Sequence, residues 1–433
     1  MGPASYSSQT DLHVLALTDV MPHSQTTSSR SKPAPFGSNS RSLRVLIIHN
    51  TYQQPGGEDE VAEREAALLE RAGHEVIRYT RSNNELAALK PWQKARAAVD
   101  VIWARDAVAD LRQILRDRRP DVAHVHNTFS RISPAAYYAC AEAGVSVVQS
   151  LHNPRLICPS ANFYRAGRTC EACLGRSVPW PGVLHGCYHN SRLQTAVVAG
   201  MLTTHRLLGT WSRRVQAYIV FTEFYRQKFI AAGLPAQKVF VKPHFVAPDP
   251  GARSSGPGSY ALFVGRLDPE KGLKTLLAAW QELRDIPLKI RGDGQLRETV
   301  ERSLGTEGSW ELVPRLSTQE LSELVKGARF LVWPSLGHFE TFGLVALEAF
   351  ACGVPVIASR TGVASEIVRA GQHGLHFAPG DPADLAAKVR YAWENQDYMV
   401  QLGRQARREF ELRYTPEENY EMLMAIYRRV LGH

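Results

Sequence analysis

Short apolar runs alternate with helical stretches along this chain, and the pattern occurs twice, interrupted once. Residues 44–49 are apolar enough for a buried parallel strand. Pro55-Gly56-Gly57 follows, a helical stretch opens at Glu58-Asp59-Glu60 and stops at Gly73, and residues 74–79 read as the next strand. The acidic opening complements the helix dipole. Strands are likewise expected at 121–126, 145–150 and 217–222, with helices at 134–143 and up to about Gly233. Residues 247–258, rich in Pro, Gly and Ser, read as a flexible linker. Beyond them the alternation restarts, with strands at 260–264, 287–290, 330–333 and 354–358 and a helix at 273–283. Such a pattern predicts the α/β class: two doubly wound domains facing a central cleft, with ligands at the carboxyl ends of the strands. The expected division is a disordered tail (1–43), an N-terminal domain (44–246), the linker, a C-terminal domain (259–413) and a final helix (414–433).

A length of 433 residues suits two or three domains, and 44% hydrophobic with 21% charged residues is ordinary for a globular chain. No apolar run approaches the ~18 residues that span a bilayer, and the Ser/Thr/Pro-rich start does not read as a secretory signal. A cytoplasmic location is therefore expected. In the first 40 residues Asp11, Asp19, Arg30 and Lys32 cancel, so the net +9 belongs to the folded part. Much of it lies in runs such as residues 112–119, a solvated helix face or a surface for anionic ligands or an acidic membrane. No nucleic-acid reader motif accompanies the charge, so no nucleic-acid partner is expected.

Two stretches carry chemistry. In Gly265-Arg266-Leu267-Asp268-Pro269-Glu270-Lys271-Gly272, between a strand and a helix, Arg266 offers a planar fork and Lys271 a point charge, a natural pair for a pyrophosphate. The helix start after Gly272 adds its positive end. The loop is neither a Walker loop nor a Gly-x-Gly-x-x-Gly loop, and that fingerprint is missing after every expected strand, which excludes an ordinary dinucleotide dehydrogenase. The second stretch begins at Glu340-Thr341-Phe342-Gly343-Leu344-Val345 and reaches Glu348 eight residues after Glu340. Gly343, Leu344 and Val345 present backbone N–H groups at a helix start, with a carboxylate on either side. Glu348 falls in an otherwise apolar helix, so it needs either a ligand or a structural ion pair.

Together the Gly-Arg-x5-Gly and Glu-x7-Glu segments resemble the donor-binding half of the retaining glycosyltransferase family 4, which has the GT-B architecture of two Rossmann-like domains. Gly56-Gly57, His126 and Ser150-Leu151-His152 extend the resemblance into the N-terminal half. It implies that Arg266 and Lys271 neutralise the diphosphate of a nucleoside-diphosphate sugar, and that Glu340 holds hydroxyls of the transferred sugar. Phe342, Gly343, Leu344 and Val345 would contact the donor, and Glu348 its ribose. Gly56 and Gly57 would lie on the acceptor side, Gly57 also binding the donor by letting its phosphate approach the backbone closely; His152 would lie over the donor sugar, and His126 is either an acceptor-side residue or a satisfied structural group. Catalysis would rest on His152, Glu340, Arg266 and Lys271. Acceptors would be saccharides, glycolipids or small molecules, in polysaccharide or glycolipid assembly at the inner face of the membrane. No Asp-x-Asp motif occurs, so no catalytic metal is expected. Residues 312–317 lack a glycine that the family often has, which leaves the nucleotide open. A nucleotide-sugar epimerase on the same architecture and a zinc-stabilised, non-catalytic binding protein are the alternatives.

Four of the six cysteines, Cys158, Cys170, Cys173 and Cys187, lie in a long Pro- and Gly-rich stretch, 153–190. Spacings of 11, 2 and 13 residues suit a tetrahedral structural zinc, although cysteines also pack as small hydrophobes. Cys140 and Cys352 read as helix-core residues.

Overall fold

The computed structural model describes residues 41–53, 56–86, 91–254, 256–304, 310–337 and 340–432. The expected tail up to residue 40, and Ser255 of the linker, lie outside the described residues. Strands in chain order are β1 (Arg44–Thr51), β2 (Glu75–Ser82), β3 (Val122–Asn127), β4 (Ser146–Ser150), β5 (Tyr164–Arg165), β6 (Arg168–Thr169), β7 (Ala217–Val220) and β8 (Val239–Val241). After the crossing to the second half come β9 (Tyr260–Val264), β10 (Leu288–Arg291), β11 (Trp310–Val313), β12 (Ala328–Trp333), β13 (Val356–Ser359) and β14 (Gly374–Phe377). They build two parallel six-stranded sheets, ordered β2-β1-β3-β4-β7-β8 and β11-β10-β9-β12-β13-β14, with β5 and β6 as a separate antiparallel hairpin.

Helices cover both faces of each sheet, which is why the central strands read as unbroken apolar runs: all six residues of β3 and of β12 are buried. β8, β11 and β14 were not expected as strands. Each is an edge strand of three or four residues with exposed or partly exposed positions, so none presents a continuous apolar run.

In both sheets the strand order reverses at the first strand, β1 between β2 and β3, and β9 between β10 and β12. Crevices therefore open at the carboxyl ends of β1/β3 and of β9/β12. The chain crosses between sheets twice, side by side, where the Val246 amide donates to the Tyr414 carbonyl (3.3 Å). The final helix, Pro416–Leu431, returns to the first sheet: its Tyr420 and Tyr427 hydroxyls meet His74 (2.9 Å) and His124 (2.7 Å). The stretch expected to be a flexible linker is tied to the second half by Arg407, whose guanidinium binds Asp249 (2.7 Å), and by Arg253, which donates to Ala328 O (2.9 Å).

Candidate active site

The C-terminal wall is built from the exits of β9 and β12. Gly272 has φ +75°, and a Cβ there would lie 1.8 Å from Pro334 O, so only glycine lets the Arg266–Lys271 loop close against the end of β12. Gly292 plays a similar part, since a Cβ would sit 1.9 Å from Gly265 O. Arg266 is two-thirds exposed and held by Asp268 (2.6 Å) and Glu270 (3.4 Å). Lys271 pairs with Glu340, whose other oxygen accepts from Ser335 Oγ (2.7 Å) and from the Trp333 indole. Burial pushes the Glu340 carboxyl up, but the Lys271 charge and these donors outweigh it and hold the group below the usual carboxylate range.

Gly343, at φ +106°, opens the helix Leu344–Ala351, and a Cβ there would strike the Trp333 ring at 2.2 Å. No acidic residue occupies that helix's first turn, so its positive end stays uncompensated within the helix. Glu348, one turn on, is partly buried and pushed up to about 7 by burial. Among the described residues no side chain bonds to it, and the nearby charges of Arg64 and Arg291 pull its carboxyl down only in part against burial. Arg291 and Arg315 reach the same cleft.

The N-terminal wall has the opposite charge. The helix Gly57–Arg71 begins with Glu58, Asp59 and Glu60. Asp59 accepts from the Gly56 amide (2.8 Å) and meets His49 Nε2 (2.8 Å), which locks the helix start to β1. Glu58 accepts from Tyr52 OH and Asn153 Nδ2 (both 3.2 Å), and burial pushes its carboxyl up to about 8. Behind these residues runs a ladder of imidazoles. His124 stacks on His126 (centroids 4.5 Å apart), His126 on His152 (5.2 Å), and His152 on His244 (5.9 Å). His126 Nδ1 and His152 Nε2 lie 2.9 Å apart. Burial depresses the whole ladder, His124 to about 4 despite the adjoining Glu65, and His126, His152 and His244 well below the usual imidazole value. These rings are neutral at physiological pH.

The two walls touch. Thr341 Oγ1 donates to His152 O (2.9 Å), and Glu366 accepts the amides of Glu223 (2.7 Å) and Phe224 (2.9 Å) at the start of the helix Glu223–Ala231. Between the walls lies a cleft of about 940 Å³. Gly56, Gly57, His152, Arg266, Lys271, Glu340, Phe342, Gly343, Leu344, Val345 and Glu348 all line it. His126 does not: it is buried behind His152, bonded to it, with Nε2 left without a partner among the described residues. Cys158, Cys170, Cys173 and Cys187 gather around a separate cavity. Sequence reasoning missed Glu58, His244, Arg315, Trp333 and Ser335 as cleft residues. Trp333-Pro334-Ser335 at the end of an apolar run carried a readable signal, a strand exit at a crevice; His244, in a short segment after an edge strand, carried none.

Comparison with known proteins agrees with this geometry. The family described as "Glycosyl transferases group 1" matches residues 252–409, and the "Glycosyl transferase 4-like domain" family matches residues 56–244. An uncharacterised glycosyltransferase of Methanocaldococcus jannaschii is 34% identical over 167 residues, 38% of this chain and 46% of the relative. Glycogen synthase of Mycobacterium tuberculosis is 40% identical over 136 residues, 30% of this chain and 32% of the relative. These matches thus span less than half the length of the curated relatives. Among solved structures, Anabaena HepE in complex with UDP superposes with a TM-score of 0.61 at 17% identity, covering 88% of this chain and 99% of that one. Sucrose-phosphate synthase from Thermosynechococcus elongatus gives 0.66 at 16%, with 90% and 99% coverage. At such identities the superpositions speak for the fold, while the two family matches cover both halves of the chain. This chain belongs to the group 1, family 4-like glycosyltransferases and has their GT-B fold.

Proposed function

We propose that this protein transfers a sugar, with retention of anomeric configuration, from a nucleoside-diphosphate sugar to the hydroxyl of a saccharide, glycolipid or small-molecule acceptor. The observation that carries this reading is the Lys271–Glu340 pair beside the acid-free helix start at Gly343, within one cleft. That layout offers positive charge for a diphosphate and, next to it, an ionised carboxylate for sugar hydroxyls. HepE, a structural neighbour, has been crystallised with UDP and with UDP-glucose, which supports a nucleotide sugar as donor here.

In this reading Arg266 and Lys271 neutralise the diphosphate and the charge that grows as the bond from anomeric carbon to phosphate oxygen breaks. Amides of Gly343, Leu344 and Val345 receive the phosphate or sugar. Glu340 orients sugar hydroxyls, and Glu348 binds the ribose. The departing phosphate oxygen takes the acceptor proton as the acceptor oxygen bonds to the anomeric carbon on the same face. His152, neutral and wedged between His126 and His244, presents its ring and backbone to the sugar without bringing a charge. Gly57 leaves room for the acceptor. Nothing in this scheme needs a catalytic metal.

A lipid-linked acceptor in polysaccharide or glycolipid assembly, met at the cytoplasmic face of a membrane, fits the surface. Trp180, Leu184, Leu193 and Leu207 are each at least half exposed, near the basic Arg176 and Arg192. Among the described residues, no helix is long and apolar enough to cross a membrane.

Thermal-shift measurement with UDP, GDP, ADP and dTDP tests the donor site. One nucleotide family should raise the midpoint by a few degrees at a large excess over Kd. The shift should vanish in Arg266→Ala and Glu348→Ala, and should weaken as pH falls through about 7, where the Glu348 carboxylate takes up its proton. No shift with any nucleotide would refute the assignment. Release of a rearranged nucleotide sugar without acceptor would favour an epimerase, and binding without turnover a non-catalytic binder.

A further inference from the structure

The segment from Asn153 to Asn190 has few regular elements of its own: one 3₁₀ turn, the β5–β6 hairpin and the short helix Trp180–His185. Its inward-facing side chains are few, and two of them are Cys158 and Cys173. It is also tightly turned. Of the seven non-glycine residues with positive φ among the described residues, five lie here, Ala161, Phe163, Ala166, His189 and Asn190. Left-handed backbone is unfavourable at such residues, so a loop of this length needs something to hold it.

Cys158, Cys170, Cys173 and Cys187 line a single cavity of about 20 Å³, close to the room needed by one small particle, since a water takes roughly 10–15 Å³ on this measure. All four are free thiols. The local sequence serves this convergence. A Cβ on Gly182 would lie 3.0 Å from the Pro159 ring and 3.6 Å from Cys173 Sγ, so a side chain there would push the short helix off the cluster. Ser160 Oγ stands 3.1 Å from Cys158 Sγ, and the Cys170 amide donates to Phe163 O (2.7 Å), closing the turn between the first two cysteines.

We propose that Cys158, Cys170, Cys173 and Cys187 bind one zinc ion as four thiolates and that this ion fixes the 153–190 loop against the C-terminal domain. An all-sulfur set of four selects zinc over the hard cations, which take oxygen ligands. No three of the sulfurs lie within 4.8 Å of one another. A Zn–S bond of ~2.3 Å implies about 3.8 Å between sulfurs, so the ligands close on the ion by at least about an ångström.

A second group, Glu65, His124 and His126, brings three ligand atoms within 4.8 Å, but a lysine and other partners already engage two of its members. The Lys242 ammonium lies 3.2 Å from Glu65, and His124 is engaged at both nitrogens, by Tyr427 and by Ser150. A cation already occupies that place.

The zinc loop reaches the active-site side of the molecule. Arg206 anchors its body through Leu156 O (2.6 Å) and Arg176 O (2.7 Å), and Glu171 binds Lys228 (2.6 Å). At its tip the hairpin packs on the loop that carries Ser335 and Glu340: a Cβ on Gly337 would lie 2.8 Å from Thr169 Oγ1. The ion thus sits at the root of a bridge between the two domains.

Elemental analysis of the purified full chain, together with thiol titration and intact mass, tests this. One zinc per chain is expected, resisting dialysis and released as a mercurial consumes four thiols. Cobalt-substituted protein should show the intense visible bands of tetrahedral thiolate coordination. Cys170→Ser and Cys173→Ser should each lower retained zinc by more than about tenfold, whereas Cys352→Ser should keep it. Should the first two variants misfold, the stoichiometry of the unaltered chain still decides. A chain with all six cysteines titrating freely and no bound zinc, a mass four hydrogens short from two disulfides, or stoichiometric iron instead would each overturn the proposal.

Discussion

The two walls of the cleft are built on the same topology and do opposite things with charge. Each sheet reverses its strand order at its first strand, and each places a glycine-led helix at the resulting crevice. On the C-terminal wall the helix start carries no acid and is surrounded by Arg266, Lys271, Arg291 and Arg315. On the N-terminal wall the equivalent start is filled by Glu58, Asp59 and Glu60, and Asp59 itself accepts the amide of Gly56, just before the helix. An anion gains at the first site and is repelled at the second. One fold can therefore hold a diphosphate on one wall and leave the other for uncharged sugar and acceptor hydroxyls. The difference lies in the side chains set around each helix start, acids in one helical turn on one wall and bases from separate loops on the other, not in the architecture.

The largest expected effect tests that division. Lys271→Ala removes the cation from the Glu340 pair and should lower kcat/KM by about 10²–10³, the usual loss for one positioned electrostatic group. Glu58→Gln, on the opposite wall, should leave nucleotide affinity within a factor of two or so while raising the acceptor KM. Steady-state kinetics with each substrate varied separately reads both. Equal loss of nucleotide affinity in the two variants would break the comparison.

Acid should separate the walls next. The ladder histidines have folded-state values depressed by burial, so between those values and about 6.5 the unfolded chain binds more protons, and stability falls as pH is lowered. For His124 alone, held to about 4, the full loss is on the order of 3 kcal/mol. Glu340 behaves in a lower window. Its depressed carboxyl contributes stability above the ordinary carboxylate value of about 4.3, lost only as pH drops below it. Over the same range the raised carboxyls of Glu58 (about 8) and Glu348 (about 7) gain stability as they protonate and offset the ladder. Denaturant unfolding of a Glu58→Gln/Glu348→Gln chain at pH 7.5, 6 and 5 should therefore show the steep decline, and a further Glu340→Gln should leave it unchanged. A flat profile over that range would mean that the ladder protonates without cost.

The same contrast explains what could be read from the residues alone. The C-terminal wall is written in contiguous stretches: Gly265 to Gly272 and Glu340 to Glu348 each follow one strand, and their spacing survives folding intact. Nine of the twelve strands in the two large sheets were legible because central parallel strands are apolar on both faces. The N-terminal wall is assembled from distant segments. His49, the His124–His126 pair of β3, His152 and His244 come from or follow four different strands, and no local pattern marks them as one ladder. Glu58 was legible as a helix-start acid, but its burial between Tyr52 and Asn153 depends on a loop a hundred residues away. His126 shows the limit best. A histidine at a strand end reads equally as an acceptor-side residue or a structural group, and only the folded neighbours set its Nδ1 2.9 Å from His152 Nε2.

The smallest effect concerns the place where the walls meet. A Cβ on Gly57 would lie 3.3 Å from Leu344 Cδ1, across the cleft and at the far end of a flexible side chain. Gly57→Ala should therefore cost only about 1 kcal/mol, roughly a fivefold loss of kcat/KM, as Leu344 shifts by a few tenths of an ångström. Gly343 offers no such relief, because its φ of +106° and the rigid Trp333 ring 2.2 Å from a Cβ leave nothing that can yield cheaply. Leu344→Ala should restore most of the loss in a Gly57→Ala background, and the double-mutant cycle isolates the contact between the walls. If Leu344→Ala gives no rescue, Gly57 is needed for space on the acceptor side and not for closure of the cleft.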